Sequence, residues 1–178
     1  MRFSFTATTL VASLFAGLVA ADPIKAVAYI YGTTPAVSGW VSLSQDSYDA
    51  PTYIRANLTG LTPGKHGIHV HEFGDVTNGC ENTGAHFNPF NTVHGGPDDD
   101  VRHYGDFGNI EVGTDYYSIL DLSSDMVKLS GDNSALGHAI VVHSGEDDLG
   151  RGDSPLSKTT GNSGTKIACG VIGFAMVE

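Results

Sequence analysis

Apolar and polar positions alternate, with β-branched and aromatic residues favoured, over residues 26–31, 39–43, 52–58, 67–71, 109–112, 116–122, 139–143 and 169–177. A period of two puts every second side chain on the same side of an extended chain, so each segment predicts a strand. Turn sequences such as Thr62-Pro63-Gly64 and Ser130-Gly131-Asp132, and 23 glycines in all, separate the segments. Glycine and proline supply the backbone geometry of turns, which strand interiors do not use. No window offers a convincing amphipathic helix. Short strands at this density predict an all-β fold, an eight-stranded antiparallel Greek-key sandwich or barrel.

Two connections are too long for hairpins: residues 73–107 and 144–166. In a compact domain, connections of this length are functional or disordered. The first carries His86, His94 and His103 together with Cys80, which points to a loop held by a metal and a disulfide.

The first 21 residues change the picture of where the chain works. Arg2, an apolar stretch over 10–19 and the small residues Ala20 and Ala21 have the order of a secretory signal peptide, cleaved after Ala20 or Ala21. The stretch is too short for a membrane span. The expectation is therefore a leader over 1–21, one domain over 22–178, and a secreted, extracellular protein. About 155 residues remain, enough for one domain with a real core.

The formal net charge of −11 falls to −12 without Arg2, which argues against nucleic acid or an anionic membrane as partner. Cys80 and Cys169 are the two cysteines, and in an oxidising compartment they are expected to form one bridge. Closing so long a loop stabilises by roughly 4 kcal/mol in the chain-entropy view. Asn57-Leu58-Thr59 is a glycosylation sequon. The end at Val177-Glu178, without an apolar or basic tail, is read as that of a free, unanchored protein.

His69-Val70-His71 lies in a strand segment, so its two imidazoles share one face while Ile68 and Val70 take the other. That is half of a metal site. His66 has the opposite parity and is expected to be structural. His86, His94, His103 and Asp106 follow, and three nitrogens with one carboxylate oxygen suit a closed four-coordinate zinc site. His143 ends the apolar segment Ala139-Ile140-Val141-Val142.

The runs His69-Val70-His71-Glu72-Phe73-Gly74-Asp75, Gly84-Ala85-His86-Phe87-Asn88-Pro89, His94-Gly95-Gly96-Pro97, Val141-Val142-His143 and Ala168-Cys169-Gly170-Val171-Ile172-Gly173 occur in this order. Together they resemble the copper/zinc superoxide dismutase family over essentially the whole mature chain, most weakly before His66. The resemblance implies one copper and one zinc ion per subunit. It implies copper on His69, His71, His86 and His143, and zinc on His86, His94, His103 and Asp106, with His86 shared and catalytic. It makes Asp147 the carboxylate behind His69 and His94, and Cys80–Cys169 the intrachain disulfide. It further implies superoxide anion as substrate, a role in defence against extracellular superoxide, a homodimer touching through Phe73-Gly74 and residues 170–174, and a copper-delivery partner.

Arg151, Lys158 and Lys166 are candidates for attracting the anion to a protein of negative net charge. Lys166 stands where the family usually has arginine, and is expected to act catalytically by steering the anion while orienting it less firmly, as a flexible ammonium without arginine's planar fork. His138, where the family often has arginine, is expected to be exposed or otherwise satisfied. A zinc hydratase or hydrolase using a strand-borne His-x-His would leave the series from His86 to Asp106 idle. A copper polysaccharide oxygenase would want an amino-terminal histidine, which neither cleavage point supplies. A secreted metal-buffering or cell-surface binding module is the non-enzymatic alternative.

Overall fold

The computed structural model describes residues 22–32 and 36–176, so the predicted leader lies outside the described residues. The strands are β1 Ile24–Tyr31, β2 Ser38–Gln45, β3 Thr52–Thr59, β4 Gly64–His71, β5 Asp106–Val112, β6 Tyr117–Ser124, β7 Ala139–His143, β8 Lys166–Val171 and the short β9 Gly173–Phe174. They are ordered β2-β3-β6-β5-β4-β7-β8-β1-β9, and β1 also pairs with β2. That pairing closes an antiparallel eight-stranded barrel and leaves β9 as an appendage on β1. Closure removes the unpaired edges an open sheet would present.

The alternation predicted from the sequence is the alternation of burial. Ile54, Ala56 and Leu58 of β3 point into the barrel while Tyr53 and Arg55 face outward. The interior is filled by Ile30, Leu43, Ile54, Leu58, Ile68, Val70, Ile110 and Ile140. Strand β7 is buried at all five positions. Ile140 and Val142 join the interior, while Ala139 and Val141 pack with Cys169 on the other face. Burial on both faces explains why β7 reads as a continuous apolar run and not an alternating one.

The predicted strand over 169–177 differs from what forms. Strand β8 begins earlier, at Lys166, and pairing breaks at Ile172, whose side chain is buried. The Ile172 amide donates to the His138 carbonyl, and its own carbonyl accepts from the Gly137 amide, both at 2.9 Å. These bonds to the turn before β7 take Ile172 out of the ladder. Two short helical turns, Glu81–Thr83 and Ser157–Thr160, lie within the long loops, too short to show a helical period in the sequence.

The loops over residues 72–105 and 144–165 lie over the outer side of β4, β7 and β8. The Cys80–Cys169 disulfide, with a Cα–Cα distance of 5.8 Å and a sequence separation of 89, pins the first loop to β8. Reciprocal bonds between Asn109 and Asp147, each of 2.8 Å, pin the second loop to β5.

Candidate metal centre

Strand β4 sends Ile68 and Val70 into the barrel, so His69 and His71 must point out under the loops, where both are buried. The His71–His86 bridge brings the first loop alongside β4, and His143 arrives at the end of the neighbouring β7. One ligand atom from each of His69, His71, His86 and His143 falls within 4.8 Å of the others, and the same holds for His86, His94, His103 and Asp106. His69, His94 and Asp147 form a third group by the same measure.

The outward hydrogen bond of each ring decides which nitrogen is left free. His71 Nδ1 donates to the Gly84 carbonyl at 3.0 Å and His143 Nδ1 to the Gly164 carbonyl at 3.2 Å. Their Nε2 atoms face each other at 3.3 Å. With both Nδ1 positions protonated, those are two lone pairs pointed together, an arrangement a cation between them relieves. His69 Nε2 donates to Asp147 Oδ2 and His94 Nε2 to Asp147 Oδ1, each at 2.8 Å, so one carboxylate orients a ring in each cluster. Gly161, at φ +63°, makes room for this: a Cβ there would run into Asp147 Oδ1 and His94 Nε2.

His86 belongs to both clusters. Its Nδ1 lies 3.0 Å from Asp106 Oδ1 and 3.3 Å from His103 Nδ1. Asp106 Oδ2 is held by the amides of Gly95 at 3.1 Å and His103 at 2.9 Å. Among the described residues, three buried side-chain nitrogens have no hydrogen-bond partner: His69 Nδ1, His86 Nε2 and His94 Nδ1. His94 Nδ1 lies 2.9 Å from Asp106 Oδ2, yet without hydrogen-bond geometry. Burying a polar atom without a partner costs about 1–3 kcal/mol. Three such atoms aimed into two clusters are the donor arrangement that metal ions complete.

Burial, helped by neighbouring imidazoles, pushes His69 and His71 well below the ordinary histidine range and His143 down to about 4. These rings are neutral at physiological pH, the form that binds metal. Burial also disfavours charge on His94, but the adjacent Asp106 carboxylate and the bond to Asp147 outweigh it and hold the ring up at about 9. Burial would raise the Asp106 carboxyl, yet its bonds to His103 and His86 and the adjacent His94 ring keep it far below the usual range. The Asp106 carboxylate thus stays ionised and is the anionic donor that the His86, His94, His103 and Asp106 cluster offers to a cation, which would displace the proton held on His94.

His66 is not among these groups. Its Nδ1 donates to the His143 carbonyl at 2.9 Å and its Nε2 accepts from the Thr62 hydroxyl at 3.2 Å, so it is structural. His138 is satisfied too, donating to the His71 carbonyl at 3.1 Å and stacked on Phe87 at 3.9 Å. Lys166 begins β8 opposite His143. Its ammonium donates to the Gly84 carbonyl at 2.8 Å, the Thr83 hydroxyl at 3.1 Å and the Glu81 carbonyl at 3.4 Å. The expected loosely held ammonium is therefore a tethered one, because the disulfide loop brings three acceptors to it. Arg151 is spent on Asp99 at 2.7 Å, which removes it as a free anion attractor. Lys158 lines a groove of about 530 Å³ that also reaches His86 and His103.

Sequence reasoning missed Asn109 and Gly161. Asn109 lies 38 residues from the Asp147 backbone it clamps, so no local pattern could have revealed it. Gly161 sits in a segment whose glycines have no distinguishing spacing.

A family model of copper/zinc superoxide dismutase matches residues 37–172. The chain belongs to the copper/zinc superoxide dismutase family: it is a superoxide dismutase of the copper/zinc type, and the two donor clusters are compatible with the metals that family employs.

Proposed function

We propose that each subunit holds one copper ion on His69, His71, His86 and His143 and one zinc ion on His86, His94, His103 and Asp106. The observation that carries this reading is the position of His86, with Nδ1 in one donor cluster and an unpartnered, buried Nε2 directed to the other. Nitrogen-rich donors suit copper, and the mixed nitrogen and carboxylate set suits zinc. Copper, when bound, supplies one-electron exchange with superoxide in both directions, so two superoxide anions and two protons become oxygen and hydrogen peroxide.

The residues of the chain perform the rest. His86 Nε2 holds and delivers one proton, while Nδ1 stays engaged beside Asp106 and keeps the ring oriented. Asp147 fixes the tautomers of His69 and His94 together, so neither ring can turn alone. Lys166 is the cation beside the copper-side histidines that draws the anion in. Its tether to residues 81–84 keeps the charge in place.

Secretion through a leader over 1–21, a glycan on Asn57 and defence against extracellular superoxide complete the reading, supported by the leader anatomy, the sequon and the disulfide. A homodimer is supported by exposed Phe73 and Phe174 and by the closeness of Gly74 to Val171, which brings residues 73–74 near residues 170–174. Burial of the copper-side nitrogens favours a delivery partner over free uptake.

The shared ring is tested by electron paramagnetic resonance on protein carrying copper in both clusters. A bridging imidazolate couples the two spins and suppresses the signal, and His86→Gln restores two independent signals. Uncoupled copper in the unaltered protein would contradict a shared His86.

A further inference from the structure

The outer face of the barrel, away from both clusters, carries a row of side chains that the dismutase chemistry does not use. Tyr29 of β1 pairs with Trp40 of β2, Trp40 with Asn57 of β3, and Asn57 with Ile119 of β6. The neighbours of each along its strand, Ile30, Val41, Leu58 and Ser118, are buried, so all four point outward. Tyr29 is 75% exposed and Ile119 68% exposed. Asn57 therefore stands, half-buried beside a half-buried Trp40, in a row whose apolar ends are exposed.

Among the described residues, the Asn57 carboxamide has no hydrogen-bond partner, whereas the next row along carries the Arg55–Asp121 ion pair at 2.6 Å. Directly opposed side chains across strands are about 4.5–5.5 Å apart at Cβ. The nearest cross-strand neighbours of a sugar joined to the Asn57 nitrogen are Trp40 and Ile119. The two sides differ. A groove of about 540 Å³ adjoins Trp40 and is lined by Tyr29, Ser42, Lys25 and Ala175. An indole face is electron-rich and accepts the polarised C–H face of a pyranose.

We propose that the innermost sugars of an N-linked glycan on Asn57 lie over Trp40 and run toward the groove at Tyr29, covering the apolar row. This rests on the reading of the chain as a secreted glycoprotein. The glycan is then part of the folded surface. It shields apolar area that would otherwise favour association between copies.

Trp40 is the one tryptophan of the chain, so the intrinsic fluorescence reports on this spot. The test compares secreted protein, the same protein trimmed by endoglycosidase to a single N-acetylglucosamine, and the unglycosylated variants Asn57→Gln and Thr59→Ala, all at equal metal content. Mass spectrometry of the Asn57 peptide comes first: an unoccupied Asn57 in the secreted chain overturns the glycoprotein reading and this inference with it. With Asn57 occupied, acrylamide quenching of Trp40 is expected to be about twofold weaker, with emission shifted to the blue, than in either variant. Trimmed protein is expected to keep that protection. Equal quenching in all forms overturns the inference while leaving the glycoprotein reading intact, and loss of protection on trimming overturns the assignment to the innermost sugars.

Discussion

Replacing Asp147 with asparagine changes one oxygen to an NH2 group, and the structure allows the cost to be worked out. The carboxylate is buried and accepts from His69 Nε2 and His94 Nε2 at 2.8 Å each, and from the Leu149 amide at 2.7 Å. Asparagine can accept at one oxygen only; that oxygen takes the Oδ1 place, which receives both His94 and the Leu149 amide, so the NH2 group faces the N–H of His69. His69 loses a bond to a charged acceptor, worth about 1.5–3 kcal/mol. It also loses the constraint that fixes which nitrogen is free to bind metal. At about 1.4 kcal/mol per tenfold, the expected loss of copper affinity is roughly 10- to 100-fold. Copper affinity is read by competition against a chromophoric chelator, with circular dichroism to verify the fold. Copper affinity within twofold of the unaltered protein, in a folded Asp147→Asn variant, would refute the reasoning.

Serine at both Cys80 and Cys169 should lower stability by about 2–5 kcal/mol, read as the denaturant midpoint with matched metal content, because a closure spanning 89 residues is lost. Lys166→Glu should reduce kcat/KM for superoxide about tenfold or more at low ionic strength, with the deficit shrinking as salt is added, while Lys166→Arg retains the rate. An unchanged rate in both would remove Lys166 from the mechanism. Burial pushes the Tyr104 phenol up to about 12, so the folded state favours its neutral form, and this contribution to stability is lost as pH rises from about 10 through 12. Absorbance near 295 nm should show its ionisation as the last among the tyrosines, a step missing in Tyr104→Phe.

The barrel was legible because burial on one side of each strand leaves a period of two in the sequence, and the His69 and His71 pair was legible for the same reason. The ends of strands were less so. Ile172 continues an apolar run, yet its bonds to Gly137 and His138 come from residues more than thirty positions earlier. The second cluster was legible from its residue types, three histidines and Asp106 suited to zinc, but the sharing of His86 came only through the family likeness, since His86, His94 and His103 lie in a loop without periodicity. The supports behind the ligands were least accessible. Asn109, Gly161 and the tether on Lys166 depend on contacts between segments that only the closed barrel brings together. Arg151 shows the converse, since a charge free to attract an anion in the sequence is committed to Asp99 in the fold.

The central claim is a copper-dependent dismutase in which two clusters share His86. Elemental analysis of the purified protein, combined with superoxide consumption before and after copper alone is removed and restored, tests it most directly. The account predicts about one copper and one zinc per chain, with activity that disappears and returns with copper. Zinc in both clusters, or no superoxide consumption after copper is restored, would contradict it.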